Sequence, residues 1–148
     1  MKKIKYTEED IFDHDGVTAV IKNDNEEILM QEHIKYGFWT TPVGKVKKGQ
    51  SIEEGLREEM SEECNIIIEE SKEVKTKRYT YKRNGKKVKV RVHVFEILKY
   101  KGTLKNNEPH KHTQQKFISL DEIKKLPYLS DVTILYLRVI GFERKAHI

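Results

Sequence analysis

Cysteine occurs once in this chain, at Cys64, so no internal disulfide forms and a packed core in a reducing compartment has to hold the fold. Proline is nearly as scarce, at three positions. No segment is repeated or of low complexity, so no linker divides the chain and residues 1–148 read as one domain. No apolar run approaches the ~20 residues that a membrane-spanning helix needs, which excludes a membrane partner. The opening Met1-Lys2-Lys3-Ile4-Lys5-Tyr6 is positive but has no apolar segment behind it, so it is not a secretory signal and a cytoplasmic location is expected.

What fills the chain is charge. Charged residues make up 36%, as many as the hydrophobic ones, and the net charge is +5. It is unevenly spread: between Glu53 and Glu63 six glutamates stand against one arginine, a local −5, which leaves +10 on the remainder. On a helix, Glu59, Glu62 and Glu63 fall at i, i+3 and i+4 and share one face. Carboxylates that close repel, and folding alone does not call for them. Hard Mg²⁺ or Mn²⁺, which prefers carboxylate oxygen, turns the repulsion into binding. A solvated helix face is the plainer alternative. An acidic focus in a basic body suits a polyanion gathered around a metal.

The acidic helix has a clear start, since Ser51 and Glu54 form an S-x-x-E capping box. Ile52, Leu56 and Met60 make its core stripe. Upstream, Val17–Ile21 and Ile28–Met30 read as a hairpin about the turn Asn23–Glu26. Phe38–Thr41 is a short extended piece stopped by Pro42, and Val43–Gln50 is a loop. Downstream, Ile66–Ile68 reads as a strand. Two long strands follow, roughly 73–82 and 87–97, joined by Asn84-Gly85, the strongest two-residue hairpin signal. In the second, Val88, Val90, Val92 and Val94 alternate with Lys87, Lys89, Arg91 and His93, giving an apolar face and a cationic one. Ser119 and Glu122 open a short helix. Ser130 or Asp131 caps a last one with Val132, Leu135, Tyr136 and Val139 inward, ending at Gly141. This order points to an α+β fold, a mixed sheet packed between helices.

The run Gly44-x5-Gln50-x7-Glu58-Glu59-Met60-x-Glu62-Glu63-x-Asn65-Ile66 resembles the Nudix box, G-x5-E-x7-R-E-U-x-E-E-x-G-U with U aliphatic. Trp39-x-x-Pro42-x-Gly44 is similar to that family's entry into the box. Glu108-Pro109 and Phe117–Glu122 resemble its late loop and closing helix. The resemblance implies an α/β/α sandwich and a metal-dependent pyrophosphohydrolase that cleaves a nucleoside diphosphate linked to another moiety, water attacking phosphorus. It implies Glu62 and Glu63 as ligands of Mg²⁺ or Mn²⁺, Glu59 as ligand or water-orienting base, Glu108 as a further ligand or base, and the backbone of Gly44 shaping the site. The departures are Gln50 for the first glutamate, Glu58 for the arginine and Asn65 for the late glycine. In the family the arginine typically pairs with that glutamate. Here the amide of Gln50 can still donate to the carboxylate of Glu58, keeping the bond with its polarity reversed. The alternative is a catalytically weakened domain that binds nucleotide or RNA for regulation.

From Lys72 to Arg91 ten cations stand against Glu73 alone, with Tyr79 and Tyr81 interleaved. As a substrate surface this hairpin holds phosphates or RNA, with Arg78 and Arg91 the named contacts. As a structural device its cations keep an exposed strand from pairing with other chains. Trp39 either stacks on a base or packs beside the loop. His110 and His112 read as exposed loop residues, with a role as acid, base or ligand the lesser alternative. A nucleotide-containing small molecule is the expected substrate, and monomer and homodimer both stay open.

Overall fold

The computed structural model describes residues 13–142; the segment read above for targeting lies outside them. The capping box forms as the sequence requires: Glu54 N donates to Ser51 Oγ at 3.1 Å and Ser51 N donates to Glu54 Oε1 at 3.2 Å. It opens helix α1 (Ile52–Cys64), which stops at Asn65 in the left-handed conformation, φ 62°. Leu56 and Met60 are fully buried and Ile52 packs beside them.

Among the described residues, seven strands form two sheets: β1 (His14–Val20), β2 (Ile28–His33), β3 (Trp39–Thr40), β4 (Val43–Lys45), β5 (Ile67–Arg83), β6 (Lys86–Lys101) and β7 (His112–Ile118). The first sheet has the order β4-β1-β6-β5 and is mixed, since β1 runs parallel to β6 and the other pairs are antiparallel. The second, β3-β2-β7, is antiparallel. Short helices α2 (Leu120–Ile123) and α3 (Asp131–Val139) follow. α1 packs against one side of the sheets through Val17, Ala19, Leu29 and Phe95. α2 and α3 close the other through Met30, Val90, Val92 and Val94. This is the α+β sandwich of helices around sheets expected from the sequence. Among the described residues, no helix is long and apolar enough to cross a membrane.

Four readings change. The hairpin expected of Val17–Ile21 and Ile28–Met30 closes only at its base, by a bridge between Lys22 and Ile28, after which β1 and β2 enter different sheets. The turn sets a reversal but not a partner, and β1 is claimed by β4 and β6. Ile66–Ile68 and 73–82 are not separate strands, because β5 runs unbroken from Ile67, with bulges between Ile68 and Glu70 and between Glu73 and Lys75 bending it. Val43–Lys45 is a strand rather than loop, and β7 was not anticipated. In α3, Leu135 and Tyr136 are buried, but Val139 is exposed and Leu137 is buried instead. The chain doubles back past Gly141, with Phe142 N donating to Leu137 O at 2.7 Å, which closes the core around Leu137.

Buried hydroxyls tie the strand leading to the box onto the rest. Thr133 Oγ1 accepts from Thr41 N at 2.9 Å, Thr41 Oγ1 meets Thr18 Oγ1 at 2.6 Å, and Ser130 Oγ donates to Thr40 Oγ1 at 2.7 Å. These bonds join β1, β3 and the start of α3 with no side chain reaching water. Thr133→Val keeps the shape and leaves the buried Thr41 N–H without its acceptor. Urea unfolding is expected to show a loss of roughly 1–3 kcal/mol with an unchanged m-value. A loss below about 0.5 kcal/mol would mean that the network is dispensable.

Candidate active site

α1 brings its glutamates to the same end of the fold but gives them different surroundings. Glu63 is 5% exposed, whereas the side chain of Glu62 is 56% exposed and stands 4.0 Å from Lys47 Nζ. Glu63 Oε2 is buried with no hydrogen-bond partner. Burial, then the nearby charges of Glu108 and Glu59, push the Glu63 carboxyl up to about 9. Glu59 is also raised, by burial and by Glu62 and Glu108. Three carboxyls thus crowd together, Glu63 almost fully buried and Glu59 and Glu108 half-buried.

A strand and a loop deliver the other walls. Gly44 on β4 pairs with Val17 and turns toward α1, where a Cβ would stand 2.6 Å from Glu59 Oε2. Only glycine admits the Glu59 side chain against that strand. Glu108 arrives because the loop after β6 is fastened to the C-terminus of α1. Lys105 N donates to Cys64 O at 3.0 Å, Asn107 N donates to Glu63 O at 3.1 Å, and Asn65 Nδ2 donates to Thr103 O at 2.9 Å. The first two bonds satisfy carbonyls that a helix end leaves open and, with the third, set Glu108 beside Glu63. Lys111 Nζ pairs with Glu108 Oε2 at 3.1 Å.

The loop before α1 is pinned as well. Gln50 Nε2 donates to Glu58 Oε2 at 2.6 Å, and Gln50 Oε1 accepts from Lys47 N at 2.9 Å. Lys47 Nζ also pairs with Glu58 Oε1. The bond expected between the two altered box positions is therefore present, and Lys47, which the sequence reading did not single out, takes part in it.

Two cavities meet at β4. One, of about 530 Å³, is bounded by Gly44, Glu59, Glu63, Lys35, Lys111 and His112. The other, of about 540 Å³, is more apolar, with Tyr36, Phe38, Val43, Val90, Val92 and Asp131 on its walls. His112, expected at the surface, is 3% exposed and its Nδ1 has no partner. Burial and the neighbouring His33, 5.5 Å away between ring centroids, bring it down to about 4. Neither His33 nor Tyr36 carries a signal in the sequence, since His33 is the polar end of β2 and Tyr36 lies in the undistinguished turn after it.

Other expected residues lie elsewhere. Trp39 is 8% exposed within the core and bounds neither cavity. Arg91 Nε donates to Asp15 Oδ1 at 2.8 Å. Arg78 borders a separate groove with Lys75, Lys77 and Arg138. Cys64 is fully buried beside Glu63, and burial raises its thiol well above the usual range, so it is inert.

The donors of the crowded site are oxygens, the set that suits a hard divalent cation. Among the described residues, no three His, Cys, Asp or Glu side chains are already grouped as a metal site, and Glu62 in particular points to solvent and Lys47. The partnerless Oε2 of Glu63 and the Cβ-free notch at Gly44 are nevertheless what such a cation needs.

Comparison with known proteins agrees with this geometry. The family profile described as NUDIX domain matches residues 13–135. An 8-oxo-dGTP diphosphatase of Buchnera aphidicola subsp. Schizaphis graminum is 29% identical over 110 residues, 73% of this chain and 78% of that protein. The 8-oxo-dGDP phosphatase NUDT18 of Danio rerio is 43% identical over 53 residues, 34% of this chain but only 16% of that protein. The crystal structure of a MutT NUDIX hydrolase from Burkholderia pseudomallei superposes with a TM-score of 0.75 at 24% identity, covering 86% of this chain and 97% of the other. The chain belongs to the Nudix hydrolase family.

Burial of Glu63 has a pH signature. Its folded value of about 9 lies above the ordinary 4.5, so the folded state keeps a proton that the unfolded chain releases between those limits. The associated stability is complete below pH 4.5 and is lost as pH rises toward 9, by at most about 1.4 kcal/mol per pH unit. In EDTA, Glu63→Gln is therefore expected to gain in melting temperature over the native protein as pH goes from 5 to 8.5. A constant difference across that range would show that Glu63 is not held in a proton-retaining site.

Proposed function

We propose that the chain is a Mg²⁺- or Mn²⁺-dependent pyrophosphohydrolase acting on a nucleoside di- or triphosphate derivative. The observation that carries this reading is the buried Glu63 carboxyl without a partner at Oε2, beside Glu59 and Glu108. Folding gains nothing from that cluster, and a cation would relieve it. Glu59, Glu62 and Glu63 would hold the metal, with Glu62 swinging inward from Lys47, and the backbone at Gly44 would form its floor. Bound there, a divalent cation neutralises the phosphate oxygens and activates water.

The chain's own residues do the rest. Glu59, on the wall of the first cavity, either holds the metal or takes the proton from the attacking water. Glu108, anchored by Lys111, is the second candidate for taking the proton from the attacking water. Lys35 and Lys111 on the first cavity meet the phosphates, and the aromatic second cavity takes the base and sugar. The Buchnera relative supports an oxidised purine nucleoside triphosphate as the first substrate to try.

A second reading, a domain that binds nucleotide or RNA for regulation, draws on Gln50 and Glu58 in place of the family's glutamate and arginine. The 2.6 Å bond between them speaks against it, because the loop that those residues normally fix is still fixed.

The test is product release from 8-oxo-dGTP, 8-oxo-dGDP and a panel of nucleoside diphosphate derivatives, with Mg²⁺, Mn²⁺ or EDTA. Turnover is expected with metal and not with EDTA, and Glu62→Gln is expected to lower kcat on the order of 10²-fold, the scale seen when transition-state charge loses a stabilising group. Intact nucleotide binding without turnover on any compound would favour the second reading. Gln50→Ala is expected to lower activity several-fold while the melting temperature stays close to that of the native protein; an unchanged rate would mean that the loop needs no such bond.

A further inference from the structure

Glu62 stands between two rows of carboxylates on α1. Around the helix it lies ~40° from Glu58 and ~60° from Glu59. Glu59 leads into the inner row, where Glu63 is buried beside Glu108 and Gly44 closes on Glu59. Glu58 belongs to the outer row, where Lys47 Nζ pairs with Glu58 Oε1 and stands 4.0 Å from Glu62 Oε1. Glu58 and Glu62 are at i and i+4, a spacing at which like charges repel, and the ammonium of Lys47 offsets that repulsion. In the metal-free chain Glu62 therefore takes the outer position.

Lys47 is set in place by its backbone. Val46 before it is buried against Gly55 of α1, where a Cβ would stand 2.8 Å from Val46 Cγ2, so glycine there lets the loop lie close. Val46 N donates to Asp15 O at 2.9 Å. Lys47 N donates to Gln50 Oε1 at 2.9 Å, and Gln50 N donates back to Lys47 O at 3.1 Å. The Lys47 ammonium is raised from the ordinary lysine value, first by the bond to Glu58 and further by the charges of Glu62 and Glu59. Pinning the loop explains the bond to Glu58. It does not call for an approach to Glu62, one turn further along the helix.

We propose that Lys47 is a positioning residue for Glu62, a resident cation that parks this carboxylate on the outer row until a divalent ion displaces it. The proposal rests on the reading of Glu62 as a metal ligand. It makes the release of Glu62 from Lys47 part of the cost of metal binding. Both side chains are exposed and an exposed ion pair is weak, so the latch lowers metal affinity by about threefold. Glu58 and Gln50 then serve a purpose beyond holding the loop, since they fix the lysine that does this.

The experiment is titration of the nucleotide-free full chain with Mn²⁺, the free ion followed by electron paramagnetic resonance, with melting temperatures to check the fold. Lys47→Gln is expected to bind Mn²⁺ about threefold tighter than the native protein, and Lys47→Arg, which keeps the cation, to differ by less than about 1.5-fold. Lys48→Gln, a loss of charge from the next exposed lysine of the loop, is likewise expected to change affinity less than about 1.5-fold. Glu62→Gln weakens binding, and adding Lys47→Gln to it changes nothing further, because no carboxylate is left to release. Should Lys47→Gln fail to fold, Lys47→Met, which keeps the apolar stem, serves in its place. An equal gain from Lys47→Gln with and without Glu62, or from Lys48→Gln, would show general charge repulsion and overturn the proposal. So would unchanged or weaker binding by folded Lys47→Gln, which would leave Lys47 only its hold on the loop. If Glu63→Gln weakens Mn²⁺ binding while Lys47→Gln does not alter it, the latch alone falls. Absence of Mn²⁺ binding in every form would remove the metal-dependent reading together with it.

Discussion

Everything at the active end of this protein is arranged to keep three carboxyls together, with Glu63 among them almost out of water. The charge of Glu108 raises the proton affinity of Glu59 and of Glu63, and Glu59 adds to that of Glu63, which is almost completely buried. Such a cluster costs stability in the metal-free chain, so the surrounding structure has to hold it in place. The capping box fixes where α1 begins, Gly44 lets β4 approach Glu59, and the loop after β6 is tied to the last carbonyls of the helix. The hydroxyl network through Thr18, Thr41 and Thr133 then locks the chain just ahead of β4 against α3. Only the capping box is local in sequence; the other contacts join distant stretches, and together they bring residues 44, 59, 63 and 108 to one place.

Much of that was legible in the chain. The start of α1 follows from Ser51 and Glu54, and its buried stripe from Ile52, Leu56 and Met60, because capping and 3.6-residue spacing are local chemistry. Asn84-Gly85 gives the long hairpin for the same reason: both residues take positive φ, 50° and 75°, as that turn demands. Pairing between distant strands was not legible. Val17–Ile21 and Ile28–Met30 are apolar runs about a turn, and nothing in them says that each will find a better partner elsewhere. β7 escaped notice because His112–Lys116 is polar, and only its pairing with β2 makes it a strand.

Within the site, sequence spacing groups Glu59, Glu62 and Glu63 but does not rank them. Glu63 is buried and Glu62 exposed because the late loop lands on one side of the helix, a tertiary fact without a local signature. The same loop buries His112, whose neighbours in sequence are all polar. The Gln50–Glu58 bond shows the opposite case. Seven residues separate the two positions, one just before α1 and the other on it, and their chemistry alone specified the contact that forms.

The central claim is that Glu63 is kept buried for a cation. Direct titration of the nucleotide-free protein with Mn²⁺, following the free ion by electron paramagnetic resonance, addresses it without any substrate. The account predicts saturable binding that Glu63→Gln weakens at least about tenfold, the effect of removing one anionic oxygen ligand. Equal Mn²⁺ affinity in the native protein and in Glu63→Gln, or no binding in either, would contradict it.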